Sequence, residues 1–332
     1  MGGAAILSSF LPSGRPPAHG VRGLLQMCFS MLSSQQGSFQ YASPEPNVLI
    51  PTRAEPYTEG AIPKPLFDWM SMIDNMVADA DRPSAGLLKV VARFVQLSAL
   101  VRTQPLVDGQ PGTADVIREA LKIDRDLESW ERRQHGAWSV AEEHADDFFP
   151  PEAVFDGCYH VYDNTYIARV WNHYRWTRIM ANQMLLEAAD HFPASSAPLI
   201  PDGQQPRSLE CIRRLARDTL VSVPTHYRHP QLQPARWKHF DRTKDGAGLG
   251  TPGIPTMLFE LKVVGCAPGV PDAYRAWALE MLETVYRDTG MFQAKALAGL
   301  LRKNVEEESS RSASSASSAS ASSSPSTAYE VN

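Results

Sequence analysis

Residues 166–189 read YIARVWNHYRWTRIMANQMLLEAA, and this stretch admits few structural solutions. Ile167, Val170, Trp171, Tyr174, Ala181, Leu185 and Ala188 recur on one face at helical spacing, while Trp176, Ile179, Met180 and Leu186 cover another. A helix that is apolar around most of its circumference has to be enclosed by other elements. Arg169, Asn172, His173 and Arg175 share the remaining side, near the N-terminal half. The segment is therefore expected to be the central helix of a large helical domain. Its polar side either hydrogen-bonds to neighbouring helices and loops or lines a cavity.

The same period of 3.6 residues runs through the flanking segments. In SAGLLKVVARFVQLSALVR, Leu87, Leu88, Val91, Phe94, Val95 and Val101 form a stripe, and Ser84 is placed to cap it. In TADVIREALKIDRDLESWERR, Thr113 is the expected cap, and Val116, Ile117, Ala120, Leu121, Leu127 and Trp130 face one way. Ser208 is expected to start a helix that buries Cys211, Ile212, Leu215 and Leu220 and ends at Pro224. A further helix carries Tyr274, Trp277, Ala278, Met281, Leu282 and Val285, with Gly290 as its stop. The last, from about Phe292, presents Leu297, Leu300 and Leu301. The body shows no run of alternating strand pattern. The expected fold class is all-α, with one large helical domain over residues 61–305.

Composition sets the borders of that domain. Residues 1–60 are rich in Gly, Pro, Ser and Gln, without a long periodic segment, and are expected to be a largely disordered leader. Residues 306–332 contain SSRSASSASSASASSSPSTAYEVN, which has too little apolar surface to offset chain entropy, so a disordered Ser-rich tail is expected there. No stretch reaches the roughly 18 consecutive apolar residues of a membrane span. With 32 basic against 37 acidic residues the net charge is −5. Phosphate binding draws on a basic surface, so specific DNA binding by this chain alone is not expected.

The search for chemistry assigns no catalytic, cofactor-binding or metal-ligating residue. Cys28, Cys158, Cys211 and Cys266 lie far apart and read as reduced core thiols rather than zinc ligands. His226-x-x-His229, followed by His239 and Asp241, sits in a Pro- and Arg-rich stretch and is expected to be a loop with solvent-exposed histidines. The pair Asp146-Asp147 resembles the start of the aspartate-rich metal motif of terpene synthases, but Phe148, Phe149 and Pro150 follow where an acid is needed. The Gly-rich DGAGLGTPG at 245–253 follows no strand and reads as a flexible connection.

In their order, the helices resemble the regulatory domain of fungal Zn2Cys6 binuclear-cluster transcription factors. The matching stretches are IDRDLESW (123–130), YIARVWNHYRWTRIMANQMLLE (166–187), CIRRLARDTLVSVP (211–224), YRAWALEMLETVYRDTG (274–290) and MFQAKALAGLLRK (291–303). The similarity spans about Pro65 to Lys303. Members of that family carry an N-terminal six-cysteine module that reads DNA, then a basic linker and a coiled coil; these residues show none of the three.

The resemblance thus implies the regulatory half without its DNA-reading half. A truncated gene model, a decayed paralogue and a stand-alone partner all fit. It implies a non-enzymatic regulator of transcription, nuclear by analogy and otherwise cytoplasmic. No cofactor is expected, and the implied partner is a full-length transcription factor or another regulatory protein. The alternative from a different class is an all-α enzyme acting on an apolar substrate in a helix-lined cavity.

Overall fold

A computed structural model of the chain describes residues 20–42, 64–145, 149–232 and 254–321. Among these residues the order is α1 (Gly20–Ala42), α2 (Lys64–Met76), α3 (Arg82–Thr103), α4 (Pro111–Arg132), β1 (Ala141–His144), β2 (Cys158–Val161), α5 (Thr165–His191), α6 (Pro193–Ser196), α7 (Gln204–Val221), α8 (Val223–His226), α9 (Ile254–Cys266), α10 (Asp272–Thr289) and α11 (Phe292–Ala321). The fold is all-α with one small hairpin.

Helix α5 is the axis about which the others pack. Asn164 caps it, its side chain accepting from Ile167 N at 3.0 Å. Every residue from Val170 to Leu185 is buried, which is the enclosure that its apolar circumference requires. Helices α3, α4, α7 and α9 supply the walls, and α9, α10 and α11 pack on one another beside them. Each fully buried aliphatic or aromatic side chain in this core contributes about 1.5–3 kcal/mol. By length and composition alone α3 could also cross a membrane, but 67% of the qualifying window is buried inside the protein.

Charges order the contact between α4, α5 and α7. Arg178 bonds Asp124 at 3.0 Å and Glu131 at 2.8 Å, and Glu131 also receives Arg214 at 2.7 Å and the Tyr174 hydroxyl at 2.6 Å. Burial works against the Glu131 carboxylate, but its bonds from Arg214 and Tyr174 prevail and hold its pKa below the usual range.

Three expected caps turn out otherwise. Helix α3 starts earlier, at Arg82, with Pro83 in its first turn, a position where the missing N–H costs nothing. Ser84 instead donates to Asp81 O at 2.7 Å and accepts from the Tyr166 hydroxyl at 2.7 Å, tying α3 to α5. Helix α4 likewise begins at Pro111, and Thr113 closes the preceding loop by bonding both Val107 O and Val107 N. Helix α7 begins at Gln204, after Gly203 in the left-handed region at φ 77°, rather than at Ser208. Gly290 ends α10 as expected, at φ 71°.

Two larger differences change the picture of the fold. The segment read as leader contains α1, which buries Leu24, Leu25, Cys28, Phe29 and Leu32 in the main core. Their spacing is helical, but a window of mostly small and polar residues masks it. The segment 141–161, read as strandless, forms an antiparallel hairpin pairing Glu142 with His160 and His144 with Cys158. Strands of four residues are too short to display an alternation, and all four residues of β2 are buried. The backbone of α11 is helical to Ala321, past the boundary expected at Glu306. Residues 1–19 and 43–60 of the leader, 61–63 at the start of the expected domain and 322–332 of the tail lie outside the described residues.

Candidate functional site

The polar side of α5 meets the hairpin and α8 in the interior. After α7, Ser222 and Pro224 turn the chain into the short α8, which directs Thr225 and His226 inward. The hairpin brings His160 and, one residue beyond β2, Tyr162. Helix α5 supplies Asn172, His173 and Arg175, all at most 4% exposed.

Arg175 stands at the hub. It donates to the Tyr162 hydroxyl at 2.8 Å and to Asn172 Oδ1 at 2.7 Å, and its second terminal nitrogen lies 3.2 Å from His160 Nδ1. Ser222 donates to the same Asn172 Oδ1 at 3.1 Å, and Asn172 Nδ2 lies 3.0 Å from His226 Nε2. Thr225 donates to His160 O at 3.0 Å. The guanidinium also sits 5.8 Å from the ring centroids of Tyr162 and Trp171, a distance at which a cation is attracted to an aromatic face.

Three histidines in this region are held neutral. Burial pushes His160, His173 and His226 down to about 3, and the positive charge of Arg175 or Arg169 adds to the effect. The hydrogen bonds agree, because a ring nitrogen facing a donor cannot itself carry a proton. Trp176 Nε1 donates to His173 Nδ1 at 3.1 Å, and Arg175 faces His160 Nδ1. One acid in the same interior behaves oppositely: burial raises Glu260 of α9 to about 8, although Arg175 favours its charged form. Two atoms of this buried region, His226 Nδ1 and Glu260 Oε2, have no hydrogen-bond partner among the described residues.

A second polar layer lies over the hairpin. Arg217 of α7 holds Glu142 through bonds of 2.8 and 2.9 Å and reaches Asp156 at 3.0 Å. Its guanidinium depresses Glu142 to about 2. His160 Nε2 is 3.6 Å from Glu142, and Cys158 Sγ is 3.4 Å from His144 Nδ1. Burial and the neighbouring Glu142 raise the Cys158 thiol.

Of the residues singled out in the sequence, Asn172, His173 and Arg175 do share one polar centre, while Arg169 is half-buried at its edge. His226 and His229, expected in solvent, are both buried, at 0% and 5% exposure. The reason is local: the Pro224 turn folds α8 back onto α5, and His229 packs its ring on Tyr227, with centroids 6.1 Å apart. His239, Asp241, Asp146, Asp147 and the Gly-rich 245–253 lie outside the described residues. Among the described residues no three His, Cys, Asp or Glu side chains are arranged to hold a metal ion. All four cysteines are free; Cys28, Cys158 and Cys266 are buried and Cys211 is half-buried.

Sequence reasoning missed Glu260, His160 and Tyr162. Glu260 carried a signal, since it and Lys262 interrupt the otherwise apolar IPTMLFELKVVGC. The hairpin carried one in Asp156-Gly157, both in the left-handed region at φ 55° and 61°; this dipeptide favours such turns. Comparison with protein-family models, with characterised proteins and with solved structures finds no match for this chain.

Proposed function

We propose that the chain is a non-enzymatic, transcription-regulator-like domain that acts through protein contacts. Its partner is a full-length transcription factor or another regulatory protein, and its place of action is the nucleus. The observation that carries this reading is the packing of the five family-like stretches. They fall on α4, α5, α7, α10 and α11, and their apolar faces contribute to one continuous core. The bonds within the Arg175 centre support it further, because Tyr162, Asn172 and His160 engage that guanidinium from within the protein. The enclosure of the Arg175 centre is a matter of geometry, whereas the regulatory role rests on the resemblance, since fold alone does not fix function.

One observation favours the second reading, an all-α enzyme on an apolar substrate. His226 Nδ1 and Glu260 Oε2 are buried without a partner among the described residues, and an unsatisfied buried polar atom calls for an explanation, of which a catalytic role is one.

In this account these residues do not read DNA by themselves. Specific readout needs an element that enters a groove and a basic surface to position it. The test is a binding assay on the purified chain at physiological salt with random-sequence competitor DNA, with zinc measured on the same sample. The reading expects weak binding that is indifferent to sequence, and no stoichiometric zinc. Sequence-dependent binding at about nanomolar concentration, typical of specific DNA readers, would overturn it.

A further inference from the structure

Helices α3 and α4 leave a surface groove of about 670 Å³ between them. Leu97 and Leu100 of α3, Val116 and Leu121 of α4, and Leu199 after α6 line it with apolar surface. Leu100 is 37% exposed. The rim is charged, and its charges are unequally matched. Asp115 pairs with Arg118, and Glu119 and Asp126 both pair with Arg93. Asp124 is taken up by Arg178 and Glu128 by Arg132. Lys122 and Arg125, both exposed on the groove's edge, have no carboxylate partner among the described residues.

We infer that this groove docks an acidic amphipathic helix of a partner protein. An apolar floor accepts the apolar stripe of a helix. Lys122 and Arg125, three residues apart on one helix, lie on the same side and present two positive charges to a single flank of that visitor. Nucleic acid would use the charges and leave the leucines in water. A neutral apolar helix would leave the cations unmatched. An acidic residue or two beside the stripe satisfies both, and electrostatic matching of this kind sets orientation and partner choice. The inference rests on the reading that the chain works through protein contacts.

The probe is a labelled synthetic helix of about 15 residues, roughly four turns, with leucines at i, i+4 and i+7 and glutamates along one flank. Its controls are the same peptide with lysine for glutamate, and a scrambled peptide of equal charge without a stripe. Binding to the full chain is read by fluorescence anisotropy. The acidic amphipathic peptide should bind saturably, roughly tenfold more tightly than either control. Leu100→Glu should weaken it by a similar factor, and Lys122→Glu with Arg125→Glu should reverse the preference towards the lysine peptide. Both variants change exposed residues, and circular dichroism checks their fold.

Equal binding of the scrambled peptide, unchanged binding by Leu100→Glu, or failure of the charge reversal would overturn the inference. So would a concentration-dependent dimer that Leu100→Glu dissociates, since the occupant would then be a second copy. These outcomes concern the groove alone: a chain that regulates a tethered reporter equally well with and without Leu100→Glu loses the groove and keeps the proposed function.

Discussion

Phe29 lies flat against the imidazole of His173, with ring centroids 4.5 Å apart and planes within 4°. The contact joins α1 to the middle of α5, and Ser33 reinforces it, its hydroxyl 3.3 Å from His173 Nδ1. His173 therefore has an aromatic ring on its face and Trp176 donating to its nitrogen. A helix from the N-terminal region thus closes over the polar half of the central helix.

The first prediction follows from that contact. Phe29→Ala should destabilise the protein by about 3–5 kcal/mol, the usual loss on truncating a buried aromatic ring. Cys28, whose thiol burial pushes up to about 12, should resist a thiol reagent until the protein unfolds. Denaturant melts and timed labelling check both. Rapid native labelling of Cys28 would mean that α1 does not stay docked.

Trp171 gives the second prediction. It is 7% exposed, donates to Trp138 O at 3.0 Å, and meets Trp130 edge-on at a centroid distance of 5.0 Å. Trp171→Ala should likewise cost about 3–5 kcal/mol. A variant of wild-type stability that had lost affinity for a ligand would reverse the structural reading of this residue.

Stability should depend on pH with two limbs. The histidines at about 3 in the folded state bind fewer protons than their unfolded forms at 6.5, so stability falls as pH drops through that interval. Glu142, depressed to about 2, adds to the loss at the acid end. Glu260, raised from 4.5 to about 8, holds its proton in the folded state, so its contribution falls as pH rises through that window. Where the windows overlap, three histidines outweigh one acid, and the maximum should lie near the histidine end, about pH 6.5. Each whole proton of difference changes stability by about 1.4 kcal/mol per pH unit. Melting temperatures from pH 4 to 9 trace the curve, and Glu260→Gln should flatten the limb above the maximum. An identical decline in that variant would assign the alkaline limb to another group.

The central helix was legible because nearly every position of 166–189 names its environment: apolar residues outnumber the space on one face. Helix α10 was legible to its last residue because Gly290 adopts a conformation that glycine favours. The polar centre was half legible. Asn172, His173 and Arg175 share a helix, so spacing finds them, whereas His160, Tyr162, Ser222 and His226 arrive through two chain reversals that local periodicity does not encode. Helix α1 was hidden for a different reason. Its apolar residues Leu24, Leu25, Cys28, Phe29 and Leu32 lie among serines, glutamines and glycines, and packing on α3 rather than local composition gives them a buried environment.

The proposed role of this domain is to regulate transcription through a partner without reading DNA itself. The most direct measurement fuses residues 1–332 to an unrelated DNA-binding module and places a reporter gene under that module's site, with the module alone as baseline. Reporter output should change with the fusion, by roughly tenfold or more in either direction, and Trp171→Ala, by unfolding the core, should abolish the change. Output equal to the baseline, from a fusion shown to be folded and nuclear, would contradict it.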